Sequence, residues 1–162
     1  MLDRVEAMSR DPSKPRIKLL RTVLSQTESM ALYRKAHAVV LPVRAEGFGL
    51  VAIEAMSFGL PVIATEGAMS DFCNQATCFL VESKREKCEM DPCGDGTVFG
   101  MKTPVQPTWF EPSVASLSKW MKYVVKNQEK SMRRGRLARI YVNQFWQWEK
   151  AQKLALQRIK KL

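Results

Sequence analysis

Short apolar runs alternate with amphipathic stretches over the first two-thirds of the chain, and amphipathic stretches alone fill the rest. Arg16 to Leu20 is the first predicted strand, residues 38–42 the second, 60–64 the third and 77–81 the fourth. Between the first two, Ser25-Gln26-Thr27-Glu28 fits a capping box that opens a helix running to about Ala36. A glycine pair, Gly47 and Gly49, precedes a helix over 49–58. Connections this short between strands and helices imply a parallel sheet with right-handed crossovers. Residues 82–108, rich in Gly, Pro and charge, are expected to form a long loop or insertion. From Pro112, a residue favoured at a first helical position, Val114, Leu117, Met121 and Val124 mark one apolar helix face. Leu137, Tyr141, Phe145, Trp148, Ala155 and Ile159 mark another, on a last long helix. The pattern predicts an α/β domain: a Rossmann-like parallel sheet with flanking helices, ending in long helices.

The chemistry concentrates between Arg44 and Ala64. Glu46 and Glu54 stand on either side of Gly47, Phe48, Gly49 and Leu50 in otherwise apolar sequence. In a parallel α/β sheet, ligands bind at the carboxyl ends of strands, where a helix N-terminus offers free amides and a positive dipole to a phosphate. Glycines there let backbone approach phosphate with no Cβ in the way, although either could be a plain turn residue. A carboxylate suits sugar hydroxyls better than phosphate. Glu54, among apolar neighbours in a helix, needs a partner, and a ribose diol offers two donors to one carboxylate. A surface helix glutamate is the alternative, and for Glu46 an ordinary loop acid. The local chemistry points to a phosphate-bearing sugar ligand.

The segment from Glu46 to Val62 resembles, without a gap, the donor-binding motif of retaining GT-B glycosyltransferases, family 4 in particular: E-G-F-G-L-x-x-x-E-A-M-x-x-G-x-P-V. The likeness extends to Tyr33–Pro42, with His37 at a usual aspartate, to Trp109–Ser113, and to Gly135–Trp148. The resemblance implies a donor-binding domain that moves a hexosyl unit from a nucleoside diphosphate sugar to a hydroxyl with retention. In it Glu46 would reach the donor sugar as the catalytic-site glutamate, Gly47, Phe48, Gly49 and Leu50 would bind the donor, and Glu54 would hold the ribose. Asp71 stands where the family tends to place a glutamate near the donor. No cofactor and no metal are implied, since helix amides and basic side chains neutralise the diphosphate. Trp146 and Trp148 are expected to be packing residues in a helix that, in the family, crosses back to brace the N-terminal domain.

At 162 residues the chain is expected to be a single domain, whereas a complete GT-B enzyme has two domains facing across a cleft. The resemblance therefore implies the C-terminal half, truncated at its N-terminus and inactive without an N-terminal partner domain in cis or in trans. Charge is uneven. Residues 1–111 carry 13 basic and 14 acidic side chains, and residues 112–162 carry 13 and 2, so the excess of ten lies in the terminal helices. No nucleic-acid motif accompanies it, so nucleic acid is not an expected partner. A peripheral membrane contact stays open, as does a non-catalytic interaction protein that uses these basic helices. No targeting signal or membrane span is visible, which places the expectation at the cytoplasm or a cytosolic face. Cys73, Cys78, Cys88 and Cys93 fall within 21 residues. The spacing of the outer pairs admits zinc, but Cys78 enters an apolar strand, so reduced core thiols are expected ahead of metal or disulfide. Asp91–Gly96 is read as tight turns, without the downstream spacing of an EF-hand. His37, the only histidine, is expected at a helix end with no catalytic part.

Overall fold

A computed structural model describes residues 2–88, 97–98, 101–102 and 107–161. The chain divides into two compact units, Met1–Leu32 and Tyr33–Leu162. In the first, helix α1 (Leu2–Arg10) ends in a turn where Asp11 Oδ1 accepts from the Ser13 amide at 2.9 Å and the Ser13 hydroxyl at 2.7 Å. Arg21 pairs with Glu6. This helix was not expected, and the strand expected at Arg16 to Leu20 does not form. Side-chain exposure still alternates there, with Ile17 and Leu19 half-buried, but no strand pairs with the segment. Alternation sets a residue's face, while a strand also requires a ladder partner for its amides.

Helix α2 (Gln26–Lys35) begins at the expected box: the Ser25 hydroxyl accepts from the Glu28 amide at 3.3 Å, and the Glu28 carboxylate accepts from the Ser25 amide at 2.8 Å. The Ser25 hydroxyl, which also donates to that carboxylate at 2.7 Å, and then the Ser25 amide hold the Glu28 carboxyl below its ordinary value. In the second unit, β1 (Val39–Leu41), helix α3 (Leu50–Ser57), β2 (Val62–Thr65) and β3 (Phe79–Val81) make a parallel sheet in the order β1-β2-β3. Helix α3 stops in a Schellman turn: Gly59, at φ 74°, donates to Met56 O at 2.8 Å, and Leu60 donates to Ala55 O at 3.1 Å.

Residues of β2 are buried on both faces of the sheet, which explains the unbroken apolar run. Val62 and Ala64 pack with Ala52, Ala55 and Met56 of α3, with Phe72, and with Ala138 and Val142. Ile63 packs on the opposite side with Phe79, Val81 and Val124, flanked by Leu117, Trp120 and Tyr123. The Trp120 indole N–H donates to Leu80 O at 2.6 Å and ties its helix to the sheet.

Part of the expected long loop is sheet. Strand β4 (Ser83–Lys87) pairs antiparallel with β7 (Thr108–Pro112), and β5 (Thr97–Val98) pairs with β6 (Met101–Lys102). The β4 residues, Ser-Lys-Arg-Glu-Lys, carry no apolar alternation, and the pairing rests on the partner backbone. Pro112 accordingly ends β7 and does not open a helix. Ser113 is the N-cap of helix α4 (Val114–Lys126), its hydroxyl accepting from the Ser116 amide at 3.2 Å.

The expected apolar faces of the terminal helices are only partly the buried ones. On α4, Val124 is buried but Val114 is 80% exposed. The expected single last helix is two, α5 (Gln128–Phe145) and α6 (Trp148–Ile159), broken at Trp146 and Gln147. Helix α5 buries Ser131, Gly135, Ala138 and Val142, a face of small residues, and leaves Leu137 and Phe145 exposed. Backbone contact decides this: a Cβ on Gly135 would lie 2.2 Å from Gly59 O and 2.8 Å from the Leu60 carbonyl carbon. Large side chains cannot occupy a face that approaches another backbone so closely. Helix α6 buries none of its residues.

Gly135→Ala should therefore cost about 1–3 kcal/mol, the range for forcing extra volume into a filled site. Urea unfolding monitored by circular dichroism checks this, with Ala138→Gly as a comparison that loosens the same face without a clash.

Candidate functional site

The chain leaves the carboxyl end of β1 at Leu41 and turns through Arg44, Ala45, Glu46, Gly47 and Phe48 into α3. Gly49 makes the turn as the N-cap of α3, in the left-handed conformation at φ 92° and ψ 42°, with no side-chain cap. It is buried, and a Cβ there would meet Met69 Sδ at 2.6 Å and Phe72 Cζ at 3.0 Å. Its glycine is thus required by backbone sign and by packing, the turn-residue alternative left open beside phosphate approach. Around Gly47 nothing lies within 4 Å of an added Cβ. That side of the turn is open.

Gly49 O accepts from the amides of Ala52 at 3.0 Å and Ile53 at 3.2 Å, so the helix ladder starts there. Among the described residues, the amides of Phe48, Gly49, Leu50 and Val51 donate to no group. Nor does any acidic residue stand in the first turn of α3 to offset its dipole. Phe48, Leu50 and Val51 are about half exposed.

Both glutamates are exposed. Glu46 folds back so that Oε1 accepts from the Gly47 amide at 3.1 Å. Glu54 is not enclosed by apolar neighbours as its sequence context implied; it stands on the outer face of α3, one turn beyond Leu50 and about 6 Å further along the axis. Its Oε2 accepts from the Tyr33 hydroxyl at 2.8 Å. Burial, and then this bond, push the Tyr33 phenol up to about 12. Sequence pattern did not single out Tyr33, because nothing in the end of α2 reveals that it faces a residue 21 positions away.

Arg44 is engaged at the rear of the turn. Its guanidinium donates to Glu111 Oε1 at 3.0 Å and lies 4.7 Å from the Trp109 ring centroid, while Arg44 O accepts from the Phe110 amide at 2.8 Å. The β4–β7 ribbon is thereby fastened to the turn.

A family model described as Glycosyl transferases group 1 matches residues 2–90, more than half of the chain. The chain belongs to the glycosyl transferases group 1 family. Its fold is similar to that of sucrose-phosphate synthase (tll1590) from Thermosynechococcus elongatus, with TM-score 0.67 and 20% identity. That match covers 99% of this chain and 35% of the synthase. A second likeness is to the C-terminal domain of a glycosyl transferase group 1 family protein (LpcC) from Francisella tularensis, with TM-score 0.56 and 19% identity, over 80% of this chain and 53% of that one. The chain thus spans about a third of the first of these proteins and half of the second. No curated protein sequence matches it. The GT-B architecture expected for the C-terminal domain is the one found.

Elsewhere in this group 1 domain, the other singled-out residues lie apart from the turn or at its margin. His37 follows the end of α2 and, with Ala38, Val40, Pro61, Ile63 and residues of α4 and α5, lines a cavity of about 390 Å³. Ala38 and Pro61 precede their strands, so this cavity lies at the amino ends of β1 and β2, away from the glycine turn. Asp71 is exposed in the turn whose Met69 and Phe72 seat Gly49. Trp146 packs on Phe48 and Phe72, at 5.7 and 5.6 Å between ring centroids, while Trp148 is 84% exposed and packs on no ring within this chain's described residues.

Cys73 and Cys78 are buried thiols that interact with each other, and the Thr77 hydroxyl donates to Cys78 Sγ at 3.8 Å. The contact and burial push Cys73 up, and the same contact, with help from Thr77 and Arg134, lowers Cys78. Among the described residues no three His, Cys, Asp or Glu side chains gather as metal ligands. Cys93 and the Asp91–Gly96 turns lie outside the described residues. Among the described residues no helix is long and apolar enough to cross a membrane.

Two measurements follow from this geometry. Gly49→Ala should lower stability by about 2 kcal/mol or more, from the left-handed backbone and the Met69 contact together, as read in urea melts. The Tyr33 phenol is raised from 10.0 to about 12, so the stabilisation from its bond is complete below pH 10 and lost as pH climbs through about 12. Absorbance at 295 nm should show one of the three tyrosines ionising late, and Glu54→Gln should bring it down.

Proposed function

We propose that this domain binds the donor in a retaining transfer of a hexosyl unit from a nucleoside diphosphate sugar to a hydroxyl acceptor. The observation that carries the reading is the set of unpartnered amides at the N-terminus of α3, from Phe48 to Val51, at the carboxyl end of a parallel strand. A diphosphate at these amides would lie within one helical turn of the Glu54 carboxylate. That spacing fits a nucleotide whose ribose diol donates to Glu54. Glu46, on the open side of the turn beside Gly47, is the residue for the donor sugar's hydroxyls. It would release the Gly47 amide as it turns outward, adding one more donor for the diphosphate. Leu50 and Phe48 contribute backbone there, and their side chains line an apolar groove of about 330 Å³ with Phe145, Trp146 and Trp148.

Helix amides and dipole stabilise charge that grows on the departing diphosphate, so the protein's part is positioning and electrostatics. In this reading the diphosphate takes the acceptor's proton on the face from which it leaves. No cofactor is required beyond the donor. The acceptor side belongs to a second, N-terminal GT-B domain, and the 162-residue domain on its own should bind donor without multiple turnovers.

Calorimetric titration with nucleoside diphosphates and their sugar conjugates tests the reading. Glu54→Ala should weaken the bare nucleotide by about 1–3 kcal/mol, the range for hydrogen bonds to a charged group. Glu46→Ala should weaken the sugar nucleotide more than the bare one. Equal nucleotide affinity in wild type and Glu54→Ala would remove the ribose assignment.

A second reading, an interaction protein that works through its basic helices, is favoured by α6, which buries none of its residues. Absence of any nucleotide binding, together with salt-sensitive capture of an anionic partner, would favour it over donor binding.

A further inference from the structure

A glutamate on an exposed helix face has three side-chain torsions and little to restrain them, so its carboxylate makes a poor template for a ligand unless something fixes it. Glu54 is fixed by one contact, the Tyr33 hydroxyl at 2.8 Å from Oε2. Tyr33 is itself held: its ring is stacked on Phe58 at 5.3 Å between centroids and 27° between planes. It also packs, half-buried, against the core beneath α3. The phenol approaches from α2, whereas Glu54 and Phe58 lie one turn apart along α3 and its C-cap. Tyr33, Glu54 and Phe58 all belong to the same compact unit, Tyr33–Leu162.

Building on the donor reading above, we propose that Tyr33 is a positioning residue for that site: it occupies one oxygen of Glu54 and presents the other to a vicinal diol. The diol class follows from the chemistry. With Oε2 already accepting from a phenol, the carboxylate keeps Oε1 and a remaining lone pair on Oε2, enough for two neighbouring hydroxyl donors. An isolated hydroxyl would use only one of these. A carboxylate held in this way discriminates a ribonucleotide from its 2′-deoxy counterpart, because the deoxy sugar leaves an already oriented acceptor without one of its two donors. The phenol remains a donor across the physiological range, since burial and Glu54 itself hold its proton on.

The test uses the whole chain and whichever of ADP, GDP, CDP and UDP binds most tightly, measured by calorimetry beside its 2′-deoxy form. Tyr33→Phe keeps the ring on Phe58 and removes only the hydroxyl. It should reduce the preference for the ribonucleotide about three- to tenfold, the scale of a directly coupled pair, with circular dichroism unchanged. Glu54→Gln should abolish the preference, and adding Tyr33→Phe to it should change nothing further. A purely structural tyrosine would weaken both nucleotides equally and add its effect to that of Glu54→Gln. If Tyr33→Phe leaves the preference intact or raises it, Tyr33 is structural or competes with the diol, and the proposal falls while Glu54 keeps its role. If Glu54→Gln leaves the preference intact, the ribose assignment itself falls, and so does the part given to Tyr33. Failure of all four diphosphates to bind the wild type would overturn both.

Discussion

The left-handed turn at Gly49 is the constraint on which the rest of the site depends. A chain leaving β1 must reverse into α3 within a few residues, and at that point its backbone takes φ 92° while touching Met69 and Phe72. One glycine meets both demands. Because it does so without a side-chain cap, the first amides of α3 are left for something other than the protein. Because α3 then runs on at a fixed pitch, Ala52, Ala55 and Met56 turn into the core while Glu54 turns out. Phe72, which seats Gly49, also meets Phe48 and Trp146, so the same residue joins the turn to the end of α5.

Much of this was legible in the sequence, for identifiable reasons. The run Leu60–Ala64 could be read because its central strand is buried on both faces and needs no alternation. Ser25 and Glu28 could be read because a capping box is local. Gly59 closes α3 through bonds that span only a few residues. What stayed hidden depended on distant backbone. Strand β4, Ser-Lys-Arg-Glu-Lys, is a strand only because β7 lies beside it, and Arg16 to Leu20 is not one because no strand lies beside it. The buried face of α5 is set by Gly135 against Gly59, so hydrophobicity indicated the wrong stripe: Leu137 looked like core and is 52% exposed. Residues 46 to 54 were correctly placed on a turn and helix, while the burial inferred for Glu54 was wrong. An apolar sequence neighbourhood includes both faces of a helix, and Glu54 occupies the outer one.

The basic excess of the last third is likewise not one uniform surface. Arg134 donates to Cys78 O at 3.1 Å and lies over the Phe79 ring at 4.2 Å, so part of the charge fastens α5 to β3. Lys119 and Lys150 lie against Trp120 and Phe145. Long cationic side chains here cover aromatic surface with their stems and keep their charges in water. Net charge alone would not have separated these roles.

The β4–β7 ladder has a bearing on how the chain between its strands is closed. The Cys88 amide donates to Pro107 O at 2.8 Å, so the chain leaves and re-enters the ladder at adjacent points. Arg44 and Glu111 anchor the base of the ribbon to the turn after β1. Loop closure has therefore been met below residue 88 and above residue 107, and the entropic cost of lengthening what lies between rises only slowly with length. The ladder needs no particular length of chain between those two points to keep its own ends together. The group 1 architecture in this chain thus sets a ladder that closes on its own ends beside a turn whose backbone has no such latitude.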